Sequence, residues 1–448
     1  MKKQDIMEIK ISEMKFPNIG IGTIGEKKVQ IKGALPGQRL LVNMRRSGKK
    51  AKGEVLEVLE KAPQEIVPKC SVFGSCGGCS FQNIPYNYEI ELKTEMVKRI
   101  LAPFDLTDYF LPTIPATDTE SYRNKMEYSF GDDGPEGNLT LGMRKKGSYY
   151  EAVDARDCLI AHPDFGKILA FTQEYFRAKK ESFHHRRKRT GSLRHLVIRR
   201  SPQTKEILVN LVTISGSNYN DFAQKLLEVP LDGKIVGILN TINDSLADAV
   251  IPEEINILYG RDFYYEQLGN LRFKVSAFSF FQTNSTMAAD ALYPLISDYI
   301  SSTSTATLFD LYCGTGTIGI FLASSAERVL GIEIVEEAIS AAKENASLNN
   351  IKNCQFIAGD VRKMVKELDE APEVIILDPP REGINPKAMP DILAFSAPVI
   401  IYVSCKPTSL ANDLPAFFDA GYRLTKIQCV DMFPRTGNIE VVAELRRK

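Results

Sequence analysis

From about residue 300 onward the chain repeats one pattern, a short apolar run followed by a helical stretch, and few folds accommodate that repetition. Thr307 to Tyr312 reads as a buried strand, and Cys313-Gly314-Thr315-Gly316-Thr317-Ile318-Gly319 as a tight turn into a helix. Arg328 to Glu333 is a second strand ending in an acid, Val335 to Asn349 a helix, and Gln355 to Ala358 a third strand. Val374 to Leu377 is a fourth and Val399 to Val403 a fifth. Strands of this length alternating with helices imply an α/β fold with a doubly wound, Rossmann-like parallel sheet. Each residue with chemistry to offer then falls at the carboxyl edge of a strand, the rim where open α/β sheets bind ligands.

The fifth run stops at Ser404-Cys405-Lys406-Pro407, where a thiol, a cation and a helix-incompatible ring adjoin. Pro407 argues against the strand continuing, so Cys405 belongs at its carboxyl edge. An arbitrary free cysteine is more often a small buried hydrophobe than a reactive group, and its neighbours have to outweigh that. Gly314-x-Gly316-x-x-Gly319 decides little, because it suits a dinucleotide as well as S-adenosylmethionine. Glu333 can bind a ribose diol in either case. Asp378-Pro379-Pro380-Arg381 separates the two: hydride transfer needs neither a rigid acidic Pro-Pro loop nor a thiol facing the cofactor. Methyl transfer to an unreactive carbon needs both a nucleophile and a walled pocket.

Uracil C5 is such a carbon, too weak a nucleophile to attack a sulfonium methyl group. Adding a thiolate to C6 turns the ring into an enolate with carbanion character at C5. After methylation a base must remove the C5 proton so that the thiol can leave, and covalent catalysis thus divides one difficult step into easier ones. Glu440, near the start of the final run Ile439 to Leu445, is the candidate base, although a glutamate at a strand start is ordinarily just a charged edge residue. A cysteine with a pKa near 8.5 is thiolate to a few per cent at neutral pH, and Lys406 or another cation would raise that fraction. A paired uridine is out of reach inside a duplex, so the target lies in a loop or is flipped out.

Upstream, residues 1–62 show short alternating segments such as Glu8 to Ile11 and Val29 to Lys32 between glycine turns, the pattern of a small OB-like β-barrel. The loop Arg45 to Lys52 places five cations on one hairpin. Formal net charge is zero overall, yet residues 1–52 hold 13 Lys/Arg against 4 Asp/Glu, and residues 301–448 hold 15 against 19. A basic end suits a polyanion, although a solvated basic loop is an equal reading of the hairpin alone. Next come Cys70, Cys76 and Cys79, spaced C-x5-C-x2-C around Gly77-Gly78, with Cys158 the candidate fourth ligand. Eight cysteines in 448 residues are too few for a disulfide scaffold, so the crowded thiols read as a metal site. Structural zinc usually takes two close pairs; a three-and-one division favours an iron–sulfur cluster, with zinc the alternative.

Residues 63–290 read as a central α+β region whose strands carry cations: Tyr122 to Tyr128, Leu141 to Lys146 and Leu193 to Arg200, with a basic loop from His184 to Arg189. Basic strands interleaved with Tyr and Phe suit single-stranded RNA, although any one of them reads equally as a solvated sheet face. No stretch approaches the ~18 apolar residues of a membrane span and the first residues carry no signal-peptide pattern, so the chain is expected to be soluble and cytoplasmic.

In order, and over essentially the whole chain, these motifs resemble the bacterial RNA (uracil-5-)-methyltransferase family, and within it the 23S rRNA branch. The resemblance rests on the three-cysteine run plus Cys158, Phe280-Phe281-Gln282-Thr283-Asn284, Asp310 to Gly316, Leu377 to Arg381, Val403 to Pro407 and Phe433 to Glu440. It implies a TRAM barrel over residues 1–62, an RNA-binding central domain with a [4Fe-4S] cluster over 63–290, and a Rossmann-like S-adenosylmethionine methyltransferase domain over 291–448. It also implies Cys405 as nucleophile and Glu440 as base, with Gln282, Tyr312, Glu333 and Asp378 lining the S-adenosylmethionine pocket. Cys70, Cys76, Cys79 and Cys158 would hold the cluster and 23S rRNA would be the partner; the sequence leaves the oligomeric state open, with a monomer the expectation. Cys313, Cys354 and Cys429 are left to fill the core. Two positions depart from the family pattern: Asn438 stands where a histidine is common and Thr317 where asparagine is. Relatives acting on tRNA typically lack the barrel and the cluster cysteines. Rivals from other classes are an NAD-dependent oxidoreductase and a non-catalytic RNA-binding iron–sulfur protein.

Overall fold

The computed structural model describes residues 5–47, 50–134, 137–185, 188–246, 250–368 and 371–447. Gly48 and Lys49, at the tip of the expected basic hairpin, and Arg186 and Arg187 of the expected basic loop lie outside these residues. Five strands, β1 (Ile6–Lys15), β2 (Ile19–Ile24), β3 (Lys27–Lys32), β4 (Arg39–Ser47) and β5 (Lys50–Glu60), close into a barrel in the order β1-β2-β3-β5-β4. Alternation fills it: Ile9 and Ile11, Val29 and Ile31, and Leu40 and Val42 point inward from three of the strands.

The central sheet has seven strands: β6 (Lys125–Asp132), β7 (Leu139–Arg144), β8 (Ala152–Asp154), β9 (Leu193–Arg200), β10 (Glu206–Thr213), β11 (Lys234–Ile242) and β12 (Glu254–Gly260). Their order is β12-β11-β10-β9-β6-β7-β8. One face packs on the helices Pro163–Ala178 and Asn220–Leu226 through residues such as Phe165, Phe176 and Phe222. A hairpin, β13 (Phe263–Leu268) and β14 (Leu271–Ser276), joins this sheet to the C-terminal one. In the basic loop, His185 bridges to Thr190 and stacks on Tyr150 at 4.3 Å rather than standing in solvent.

The C-terminal sheet comprises β15 (Thr307–Leu311), β16 (Arg328–Glu333), β17 (Cys354–Ala358), β18 (Val374–Leu377), β19 (Val399–Ser404), β20 (Tyr422–Val430) and β21 (Glu440–Arg447). Its order is β17-β16-β15-β18-β19-β21-β20. The first five pair in parallel, as the alternating pattern requires, but β21 runs antiparallel to both β19 and β20. The sheet is therefore mixed at one edge, and β20 is a strand the sequence pattern did not single out. Parallel strands covered on both faces are apolar throughout. Successive residues of β18 and β19 accordingly divide between two cores: Val374, Ile376, Val399, Ile401 and Val403 enter one, Ile375, Leu377, Ile400 and Tyr402 the other. Of the three remaining cysteines, Cys313 and Cys429 are buried and Cys354 half-buried.

Pro407 corrects a local expectation. It does not exclude a helix but opens one, Pro407–Asp419, from the first position, where the missing N–H has no intrahelical partner to lose. The helix Tyr86–Leu101 packs Val97 and Leu101 into the C-terminal core. The segment behind it pairs along the exposed edge of β20, with Leu111 N donating to Ile427 O at 2.8 Å and Ile114 N to Cys429 O at 2.9 Å. Among the described residues no helix is long and apolar enough to cross a membrane.

Candidate active site

Antiparallel register brings the candidate nucleophile and base together. The β19–β21 ladder pairs Val399 with Arg446 and ends at Ser404 with Val441. Continuing that register by one residue sets Cys405 level with Glu440, and the Glu440 carboxylate acts on the Cys405 thiol. The two also share a face, because Val403 and Val442, two positions away from each, lie in the same core. Asp378 follows β18 on that same face, two residues beyond Ile376.

Burial governs the charges here. It pushes the Cys405 thiol up to about 11, reinforced by the Glu440 and Asp378 carboxylates and opposed by Arg381, whose guanidinium also hydrogen-bonds the sulfur. The free protein thus holds far less thiolate at neutral pH than an ordinary cysteine. Arg381 is a cation acting on the sulfur. Burial raises Glu440, 3% exposed, to about 8, with Asp378 adding to the shift and Arg381 opposing it. Desolvation alone brings Asp378 to about 7. Arg381 thus acts on both groups, and its place directly after the rigid Pro379-Pro380 pair is the sequence signal for it.

The neighbouring rim is built from a tight turn that draws on glycine's conformational freedom. Gly314 and Gly316 have φ of 54° and 74°, and a Cβ on Gly316 would lie 2.8 Å from the Phe356 ring. Tyr312, just before them, takes the same left-handed region at φ 66° without being glycine, a strained conformation of the kind held at binding sites. Glu333 closes the turn: Oε2 accepts from Gly314 N at 3.2 Å, and Oε1 from Ile334 N at 2.8 Å and Val335 N at 3.1 Å. Beneath the turn, buried Asp310 accepts from Gly319 N at 2.8 Å. Gln282 is buried, and its carbonyl accepts from the Asn124 amide at 2.9 Å. That amide also donates to Glu266, a buried carboxylate bonded by Ser201 and Ser285. Thr317, one of the departures, is bonded to the Tyr293 hydroxyl at 3.2 Å. Asn438, the other, is half-buried, with its backbone N–H on the Thr436 hydroxyl at 3.2 Å.

Cys70, Cys76, Cys79 and Cys158 line one cavity of about 210 Å³ together with Phe73 and Met143. Burial pushes Cys76, Cys79 and Cys158 upward, and Lys146 acts against this at Cys76. Among the described residues, the one set of three or more potential ligand atoms within 4.8 Å of one another is His162, Asp164 and Asp232, so no three of the four sulfurs are that close. That carboxylate set is already filled by Arg200, which bonds Asp164 at 3.1 Å and Asp232 at 2.9 Å.

Residues 85–448 match the model of the tRNA (Uracil-5-)-methyltransferase family. An RNA methyltransferase of Clostridium tetani, itself uncharacterized, is 44% identical over all of this chain and 99% of its own length. Another, of Caldanaerobacter subterraneus subsp. tengcongensis, is 43% identical over the whole of both chains. Among solved structures, the Pyrococcus abyssi tRNA (uracil-54, C5)-methyltransferase in complex with S-adenosyl-L-homocysteine superposes with a TM-score of 0.77 and 25% identity, covering 98% of this chain and 100% of that one. Fold and relatives together define an S-adenosylmethionine-dependent methyltransferase that acts on RNA. More particularly, the chain belongs to the RNA (uracil-5-)-methyltransferase family, and the carbon it methylates is C5 of uracil.

Proposed function

We propose that this enzyme methylates uridine C5 in 23S rRNA, with Cys405 as nucleophile and Glu440 as base. The observation that carries the mechanism is their opposition across β19 and β21, at the rim that also presents the glycine turn, Glu333 and Asp378. Cys405 adds through sulfur to uracil C6, and Arg381 stabilises the thiolate as it forms. S-adenosylmethionine supplies the electrophilic methyl group. Tyr312, Glu333, Asp378 and Gln282 surround the space for it, and Glu333 Oε2, which accepts one hydrogen bond in the turn, keeps a lone pair free for a ribose hydroxyl. Glu440 then takes the proton from C5, the C5–H electrons form the C5–C6 double bond, and the C6–S bond breaks with its pair on Cys405. Nothing in this sequence needs a histidine at position 438.

The four thiols suit a [4Fe-4S] cluster better than zinc. Four sulfurs at ~2.3 Å from one zinc ion lie only ~3.8 Å apart, whereas these line a roomier cavity and are more widely spread. The cluster would tie residues 70–79 to Cys158 and orient the adjoining RNA-binding surface, without taking part in the transfer. The barrel is read as a TRAM domain that binds RNA phosphates.

A second target, tRNA, is favoured by one specific observation. The Pyrococcus abyssi enzyme, named for tRNA uridine 54, superposes on 98% of this chain. A barrel therefore does not by itself mark an rRNA enzyme, and the rRNA reading leans on the motif resemblance. Competition between 23S rRNA and tRNA lacking C5 methylation, with labelled S-adenosylmethionine, decides. Label in rRNA alone supports the proposal, and label in tRNA alone replaces it.

A further inference from the structure

Glu440 is fixed at its carboxyl-terminal side by the β19 and β20 ladders, but its approach is an irregular loop, Asp431 to Ile439. Elements from every part of the molecule grip that loop. Buried Lys93, on the helix Tyr86–Leu101, bonds Asp431 at 2.8 Å, Glu89 at 2.8 Å and Phe433 O at 3.1 Å. Tyr86 donates to Asp431 at 2.8 Å. From the central region, the Tyr122 hydroxyl donates to Pro434 O at 2.9 Å and the Asn284 amide to Met432 O at 3.1 Å. The barrel reaches it too: a Cβ on Gly437 would lie 2.4 Å from Pro17 O, at the β1–β2 turn.

Arg435 is where these ties meet. It holds a left-handed φ of 66°, and its N–H donates to Glu89 at 2.7 Å. Its guanidinium donates to Ile84 O at 3.1 Å and to Glu89 at 3.4 Å. Its carbonyl accepts from Ser80 N at 2.8 Å and Phe81 N at 3.1 Å, the two residues directly after Cys79. One residue thus connects the thiol-cavity segment, the helix Tyr86–Leu101 and the strand that begins with the base.

We infer that Arg435 is a positioning residue for proton removal at C5: it sets Glu440 through the Asp431–Ile439 loop and makes the seating of the barrel and the Cys79–Ile84 segment a condition for release of methylated RNA. The inference rests on the reading of Cys405 and Glu440 given above. Its signature is a separation of steps. Thiolate addition and methyl transfer do not use Glu440, whereas elimination moves the C5 proton to its carboxylate and returns the C6–S electron pair to Cys405.

The test is single-turnover reaction of the full-length enzyme with radiolabelled S-adenosylmethionine and RNA, quenched in detergent, reading protein-bound and free methylated RNA separately. In Arg435→Ala, formation of the methylated adduct should stay within about threefold of wild type while its release slows at least tenfold, and Arg435→Lys should recover part of the release. Parallel loss of both steps with an unchanged melting temperature, or unchanged release, overturns the inference. Should Arg435→Ala not fold, Gly437→Ala strains the loop from the barrel side, and the same criteria apply. Wild-type enzyme on RNA containing 5-fluorouridine separates the underlying reading: no trapped adduct there refutes the Cys405 mechanism itself, whatever Arg435 does.

Discussion

Cys405 and Glu440 oppose each other one position beyond the last paired residues of β19 and β21, thiol and carboxylate on the same face of the sheet. The Glu440 carboxylate raises the Cys405 pKa, and the ladder that ends one residue before each of them sets the two side by side. The expected consequences are specific.

Cys405→Ala should abolish the adduct with 5-fluorouridine RNA and lower turnover by at least about 10³-fold, since the ring can no longer be activated. The mutant should bind S-adenosylmethionine as before, measured by calorimetry. Residual adduct at the wild-type level would mean another nucleophile.

Glu440→Gln should leave addition and methyl transfer intact and let the methylated adduct accumulate on ordinary uridine, visible as a shifted protein band. Unchanged turnover would assign the base elsewhere.

Release should depend on pH in the wild type. Glu440 accepts a proton only when ionised, and burial places its titration near 8, so the rate of release should climb as pH passes through that value. kcat/KM, which reports the steps up to methyl transfer, should keep rising toward the Cys405 titration near 11. Asp378→Asn removes a carboxylate that raises both groups and should move both limbs to lower pH. Arg381→Gln should move them the other way.

Stability should follow the opposite course. The folded protein keeps the Glu440 proton up to about pH 8, whereas the unfolded chain releases it near the ordinary carboxyl value. Between those values the native state binds more protons, so its stability from this group is fully present at low pH and falls as pH rises. Glu440→Gln has no such decline. Its melting temperature relative to wild type should rise by a few degrees between pH 5 and 8 and level off above.

Anaerobically purified protein should carry iron and sulfide and show broad visible absorption, and Cys79→Ser should lose all three. Stoichiometric zinc without iron would assign the cavity to a single ion.

Much of this was legible because it is local. The strand from Val374 to Leu377 begins and ends where its apolar run does, and the helix read from Val335 to Asn349 includes its two capping residues. Cys405, Asp378 and Glu333 sit at strand ends because apolar runs stop there. What escaped is non-local. Nothing in Tyr422 to Val430 announces that its partner is a later strand running the other way. The buried set Glu89, Lys93 and Asp431 is spread over more than 300 residues, so no window contains it. Pro407 opens a helix because proline obstructs a helix interior but not a first turn.

The position of β21 bears on how the chain is made. It follows β20 in sequence yet lies between β19 and β20, so during vectorial synthesis neither neighbour has its partner until this strand emerges. Until then β19, buried along its whole length in the finished sheet, presents an open edge of the kind that recruits other chains. A polypeptide cut short before residue 440 would lack both the base and the strand that closes the sheet.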